Sequence, residues 1–250
     1  MTYSLFDLTI TSHSKYERLK EQSRSHFDLA FIRAMPPEQR NACLETIDQS
    51  KSQLRQDLFA LSMLNFKQDG YFVEFGATDG VELNNTWLMN KLFNWQGILA
   101  EPANGWHTDL ERNRDCSIDK RCVWKETGLK LKFTEAPIGE QSGISSFVKR
   151  TRQLRGDSYD VETVSLNDLL SYHKAPTIID YASIDTEGSE FEILDSFDFN
   201  QHQFRVLTIE HNHTSAREDI HSLLTSHGYD RVFSDISSFD DWYINPKLLP

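Results

Sequence analysis

Apolar residues recur with two different periods along the chain, and the change of period divides it. Before residue 67 the sequence is polar and helical in flavour: Pro36-Pro37-Glu38 reads as a helix start, and Leu54, Leu58, Leu61 and Leu64 recur every three or four residues on one face. Residues 1–66 are therefore expected to form an N-terminal helical cap on a main domain, 67–250. From residue 70 short apolar runs alternate with helical segments, the pattern of a parallel sheet covered on both faces. Strands are predicted at 71–75, 97–100, 177–184 and 206–209, with another within 116–124 and an extended segment at 130–134. The tail adds two more, 229–233 and 241–244, antiparallel at the sheet edge. Helices are predicted over 84–93, 105–113, 165–173 and from 215 to Gly228. Ser165 to Asp168 and Ser215 to Glu218 supply capping signals for the last two.

The first strand runs into a turn with glycines at Gly76 and Gly80, and the second ends in a carboxylate, Glu101, 101 − 74 = 27 residues beyond Glu74. That separation accommodates strand, turn, helix and strand, the layout of a nucleoside site in which the distal acid accepts hydrogen bonds from ribose hydroxyls. Charge selects the nucleoside. Glu74 and Asp79 flank the turn and would repel a pyrophosphate, whose sites are built from bare amides and a helix N-terminus. The α-amino group and sulfonium of S-adenosylmethionine suit them better. A dinucleotide fingerprint needs a third glycine where Thr78 stands, which weakens the alternative of an NAD-dependent sugar epimerase or dehydrogenase. A third reading, a non-catalytic adaptor on the same fold, would be marked by loss of the cofactor carboxylates, and Glu74 and Glu101 are both present.

Glu74, Glu101, Asp185 and Glu210 or His211 close four strands, the end at which open α/β sheets bind ligands. Asp185 and the run Glu210-His211-Asn212-His213 offer oxygen and imidazole donors to a divalent metal, with Glu187 and His213 in reserve. Coordination can bring a bound water's pKa from 15.7 to about 7, and a sugar hydroxyl can be activated in the same way, with His211 or Asp185 taking its proton. Lys149, Arg150, Arg152 and Arg155 form a basic loop fitted to the phosphates of a nucleotide-linked substrate.

Composition narrows the partners. The chain has 250 residues, 38% of them hydrophobic, enough for one α/β domain with an appendage. A net charge of −12 argues against nucleic acid as the main partner. No apolar run approaches the ~18 residues of a membrane span, and the first residues lack the pattern of a signal peptide, so a cytoplasmic protein is expected. Cys43, Cys116 and Cys122 form no C-x-x-C pair and are expected to be reduced. Composition leaves a homo-oligomer open.

Several separated segments resemble the motif series of FkbM-type methyltransferases: Phe72-Val-Glu-Phe-Gly-Ala-Thr-Asp-Gly-Val-Glu-Leu-Asn-Asn-Thr86, Gly97-Ile-Leu-Ala-Glu-Pro102, Ile184-Asp-Thr-Glu-Gly-Ser-Glu190, Ile209-Glu-His-Asn212 and Asp240-Asp-Trp-Tyr243. Ser52 to Phe59 is similar to the opening segment of that family, and the likeness covers roughly 50–245. The resemblance implies a class I, Rossmann-like fold with a mostly parallel seven-stranded sheet. It also implies an O-methyltransferase that carries a methyl group from S-adenosylmethionine to a hydroxyl, commonly on a sugar or polyketide-type product. By position, Glu74, Gly76 and Gly80 would hold the methionine part and Glu101 the ribose, with Thr78, Asp79, Asn85 and Pro102 as neighbours. Asp185, Glu210 and His211 would stand where metal-dependent relatives of this fold bind their ion. Which hydroxyl is methylated is not encoded in these motifs.

Overall fold

A computed structural model of the chain describes residues 2–5, 8–137, 139–148 and 155–250. Its centre is a mixed seven-stranded sheet. Strands β1 (Thr2–Leu5) and β2 (Leu8–Thr11) form a separate antiparallel hairpin, and β3 (Tyr71–Phe75), β4 (Gln96–Ala100) and β5 (Ser117–Asp119) begin the main sheet. A second sheet contains β6 (Cys122–Trp124), β7 (Lys130–Glu135), β8 (Gly143–Ile144) and β9 (Asp157–Ser165). The main sheet resumes with β10 (Ile178–Ile184), β11 (Gln203–Glu210), β12 (Asp230–Val232) and β13 (Asp240–Ile244). Its order is β12-β13-β11-β10-β3-β4-β5. The five strands from β11 to β5 pair in parallel, whereas β13 is antiparallel to both β11 and β12.

Both faces of the parallel strands are buried, which is why they read as continuous apolar runs. On one face Val73, Phe75, Ile98, Ala182, Ile184 and Leu207 pack against Leu169 and Leu170, Ile193 and Leu194, and Ile220 and Leu224 from three helices. Those helices are Leu166–Tyr172, Glu190–Asp195 and Ala216–Ser226. On the other face Phe72, Leu99, Tyr181, Val206 and Trp242 meet Leu58, Phe59 and Leu61 of helix Gln56–Met63, and Leu88 and Met89 of helix Trp87–Leu92. Trp242 stacks on Phe59 with centroids 4.6 Å apart. Helices His13–Ala34 and Arg40–Thr46 lead into this layer, where Phe31 and Cys43 are buried. No helix among the described residues is long and apolar enough to cross a membrane, and the three cysteines are free thiols.

Four features depart from the sequence reading. The first eleven residues contain a hairpin where helix was expected. The first helix after β3 starts at Trp87, three residues late, because residues 84–86 form a turn around the Glu74 carboxylate. Ser165 caps its helix as expected, accepting from the Asp168 amide at 3.1 Å, but Ser215 makes no side-chain cap because its backbone is already helical. The largest departure is the second sheet. The sequence reading assigns no element to residues 158–164, yet strand β9 there pairs with β7 along six residues and with β6 along three.

Candidate active site

Parallel pairing brings the carboxyl ends of β4, β3, β10 and β11 side by side, and a cavity of about 310 Å³ opens there. Near β4 it is lined by Ala100, Glu101, Pro102 and apolar side chains of the second sheet, Cys122, Val123, Phe133 and Ile144. Near β10 and β11 it is lined by Asp185, Thr186, Glu187, Ser189, Glu210 and Asn212. Gly76, Thr78, Leu83 and Asn85 line it from the turn after β3, and Gln53, Gln56 and Phe239 are also part of its wall. Four non-glycine lining residues, Thr78, Leu83, Glu187 and Asn212, hold left-handed backbone (φ 49, 55, 59 and 44°). Such conformations cost energy and concentrate where a fold constrains a working site.

The turn after β3 is built for close approach. Gly76 has φ +74°, and a Cβ there would lie 2.4 Å from the Asp185 carbonyl oxygen, so only glycine lets β3 and β10 end this close together. Glu101, just past the end of β4, accepts the Thr78 amide on one oxygen and the Ala103 amide on the other, each at 2.8 Å. Burial pushes its pKa up to about 7, against the lowering effect of those two amides.

Five of the expected cofactor residues therefore share the cavity: Gly76, Thr78, Asn85, Glu101 and Pro102. Glu74, Asp79 and Gly80 do not line it. Glu74 lies two residues before the turn, on the helix-covered face of β3. It accepts the Asn85 amide at 2.7 Å and the Thr86 hydroxyl at 2.5 Å. Its pKa is raised by burial and opposed by the Arg114 charge. Arg114 bridges the same turn through Asn84, Thr86 and the Gly80 carbonyl. Asp79 accepts the Val81 and Glu82 amides, a local turn cap. A Cβ on Gly80 would press on Leu110 and Arg114 at 2.6–2.7 Å, so this glycine serves helix packing. These three residues shape the cavity from outside.

The acidic end also differs from expectation. Oxygens of Asp185, Glu190 and Glu210 lie within 4.8 Å of one another, and His211 is elsewhere. Strand β11 continues through Glu210, so consecutive side chains diverge. His211 Nε2 lies 3.7 Å from Asp241, and its Nδ1 accepts the His213 amide at 3.0 Å. Burial lowers the His211 pKa, outweighing Asp241. His213 is exposed. Burial, followed by the Asp240 charge for Asp185 and the Asp185 charge for Glu210, holds both well above the usual carboxylate range. Glu210 Oε2 and Asn85 Oδ1 are buried without a hydrogen-bond partner.

Lys149, Arg150 and Arg152 lie outside the described residues, and Arg155 sits exposed in a turn away from the lining. Sequence reasoning missed the wall of the second sheet and missed Glu190 as a member of the acidic group. The alternation Tyr159, Val161, Thr163 against Ser158, Asp160, Glu162 was the available signal for β9. Gln53 and Gln56 were signalled only by their place in Ser52 to Phe59, the segment similar to the family's opening.

A family model described as methyltransferase FkbM domain matches residues 74–231. No curated protein matches the chain. Among solved structures, a precorrin-6y C5,15-methyltransferase from Geobacter metallireducens matches with a TM-score of 0.40 and 14% identity, covering 75% of this chain and 86% of its own. TrmK of M. capricolum, in complex with S-adenosyl-homocysteine, matches with a TM-score of 0.34 and 14% identity over 74% of this chain and 66% of its own.

Proposed function

Because the chain belongs to the FkbM methyltransferase family, whose domain spans residues 74–231, we propose that it moves the methyl group of S-adenosylmethionine to a hydroxyl of a carbohydrate. The nicotinamide reading loses ground to the family assignment, and the adaptor reading to the Glu101 carboxylate at the cavity. The observation that carries the proposal is Glu101, a buried carboxylate at the end of β4 that opens onto the cavity and is tied to the glycine turn through the Thr78 amide. Each carboxylate oxygen holds one protein amide and keeps a further lone pair for a ribose hydroxyl.

Neighbouring strands lie about 4.8 Å apart, so the β4 and β11 ends are separated by roughly 14 Å along the cavity mouth. In this reading the nucleoside lies along that line, with its base among Val123, Phe133 and Ile144 and its ribose on Glu101. The donor brings a methyl group on a cationic sulfur that is its own leaving group. The protein's task is then alignment, for which well-placed reactants gain up to ~7–11 kcal/mol. Asn85 Oδ1, buried and unpartnered, suits the α-ammonium as an acceptor. The acceptor sugar enters at the acidic end, past Gln53, Gln56 and Leu83. Asp185, in its ionised form, takes the hydroxyl proton there. Oxygen donors alone and the unpartnered Glu210 Oε2 fit a hard divalent ion, held by Asp185, Glu190 and Glu210, which would supply charge to lower the hydroxyl's pKa. Residues 67–250 carry the carboxylates in this scheme, and the helices of residues 12–66 pack beside them, with Gln53 and Gln56 reaching the cavity wall.

The test is calorimetry with S-adenosylmethionine and S-adenosylhomocysteine, followed by mass spectrometry of nucleotide sugars and free glycans incubated with the donor. A gain of one methyl group on a sugar hydroxyl is expected. Failure to bind either nucleoside would refute the proposal.

A further inference from the structure

Several interior carboxylates are matched by cations. Asp180 meets Lys67 and Arg205, Asp119 meets Arg121 and His173, and Asp241 meets Arg217 and Arg231. Glu74 lies in the field of Arg114. Asp185, Glu190 and Glu210 differ in being clustered: one oxygen of each lies within 4.8 Å of the others, and among the described residues no lysine or arginine forms an ion pair with any of them. Three carboxylates this close repel one another, and leaving such a group unmatched is costly unless something else supplies positive charge.

Two further observations point to what supplies it. Glu210 is 9% exposed, and its Oε2 has no hydrogen-bond partner although it is buried at the cavity wall. A buried acceptor left open is the mark of a missing donor or ion. Glu190 is held in one orientation, because its Oε1 accepts from the Thr186 amide, the Thr186 hydroxyl and the Gly188 amide at 2.9–3.0 Å. That is the outer support typical of a metal ligand. Oxygens bound to one ion at about 2.0–2.6 Å are separated by at most about 5 Å, which the observed spacing satisfies.

We propose that Asp185, Glu190 and Glu210 bind one hard divalent cation of the magnesium or manganese class. They reach it from three places: the residue after β10, the start of the following helix, and the last residue of β11. With three carboxylates and no nitrogen or sulfur donor, the site discriminates against zinc and copper. Glu190 is the ligand that strand-end logic does not supply, and His211 stands outside the site. The assignment rests on the methyl-transfer reading only for the chemical use of the ion, since binding itself requires no donor.

Manganese titration of the full chain, followed by electron paramagnetic resonance of the free ion, tests the site without measuring turnover. One bound ion per chain is expected, displaced by magnesium. Glu190→Gln and Glu210→Gln should each weaken binding on the order of 100-fold, the upper end of what even outer-shell losses cost. His211→Gln should leave it unchanged. Thermal melting of the unmutated chain with and without manganese gives a readout that needs no variant, with a rise in Tm expected. Absence of binding below about 1 mM, wild-type affinity in both glutamate variants, or loss of binding in His211→Gln with retention in Glu190→Gln would each overturn the assignment. So would a rise in Tm given equally by methylammonium, which would make the cluster a site for a cationic acceptor. S-adenosylhomocysteine affinity measured on the same samples separates the failures. Nucleoside binding without manganese removes only the ion site, and manganese binding without nucleoside removes the methyltransferase reading.

Discussion

If Glu101 grips the ribose, cofactor binding must release protons near neutral pH, and the amount follows from the site. The Glu101 side chain is buried, and its pKa rises from an ordinary 4.5 to about 7. A raised carboxyl pKa favours the protonated folded state, so the associated stability is fully present below pH 4.5 and is lost as pH climbs through about 7. The difference of roughly 2.5 pH units corresponds to about 3 kcal/mol. Ribose hydroxyls donate to the ionised form and must pull the pKa down on binding. At pH 7 the free protein carries about half a proton on Glu101, and a complex whose pKa falls by two units or more carries almost none, so about half a proton leaves per nucleoside bound. Calorimetry of S-adenosylhomocysteine binding at pH 7, repeated in buffers with different ionisation enthalpies, measures that number directly. Affinity should also fall as pH drops from about 7, by up to tenfold per unit. In Glu101→Gln the proton release should vanish and affinity should drop roughly 10- to 150-fold, the worth of a charge-assisted hydrogen bond of about 1.5–3 kcal/mol. Buffer-independent heats in the unmutated chain, or the same release in Glu101→Gln, would refute the reasoning.

Three further outcomes are expected. Arg114→Met removes the buried cation whose field opposes the raised Glu74 pKa, together with its hydrogen bonds to Asn84, Thr86 and Gly80, and should cost about 3–5 kcal/mol in urea unfolding; adding Glu74→Gln should recover part of that loss, and additive losses would show the two to be uncoupled. Phe59→Ala removes a fully buried ring stacked on Trp242 and should cost about 3–5 kcal/mol; a loss below about 1 kcal/mol would mean that helix Gln56–Met63 is no part of the sheet's core. Burial alone would raise the Asp241 pKa, but hydrogen bonds from Arg217 and Arg231 outweigh it and the pKa is lowered. Its stabilisation is therefore present above about pH 4 and lost as pH falls further, so the stability gap between the unmutated chain and Asp241→Asn should close in acid; a gap independent of pH would contradict the pairing.

The main sheet was legible because its strands are buried on both faces and end in glycine or acid, so Phe72 to Gly76 and Ile179 to Asp185 stand out by composition alone. Strand β9 alternates with period two, but it follows directly on the basic run and borrowed its polar character. The partners of the interior carboxylates were not legible at all. Asp180 is met by Lys67, 113 residues away, and only the fold brings them together. Glu190 joins the acidic group for the same reason. It opens a helix whose approach to β11 depends on the left-handed backbone of Glu187 and Gly188 (φ 59 and 122°), which spacing cannot foretell.

Glu74 and Glu101 show what sequence position leaves undecided. Both were read as acids at strand ends, and both belong to one face of the sheet, since Glu74 pairs with Leu99 and Glu101 follows two residues on. Two residues of strand displace a side chain by about 6.7 Å. That step carries Glu101 just beyond the last residue of β4, where its carboxylate reaches the Thr78 amide and the cavity together. Glu74 remains beneath the turn, wholly engaged by Asn85, Thr86 and the field of Arg114. The expected consequence is a split of effects. Glu74→Gln should lower stability with a nucleoside affinity reduced only as far as the 84–86 turn loosens, and extra stabilising osmolyte should restore it. Glu101→Gln should lose affinity under every stabilising condition. Calorimetry of both variants with and without the osmolyte distinguishes strut from ligand, and identical behaviour would mean that the two carboxylates share one role.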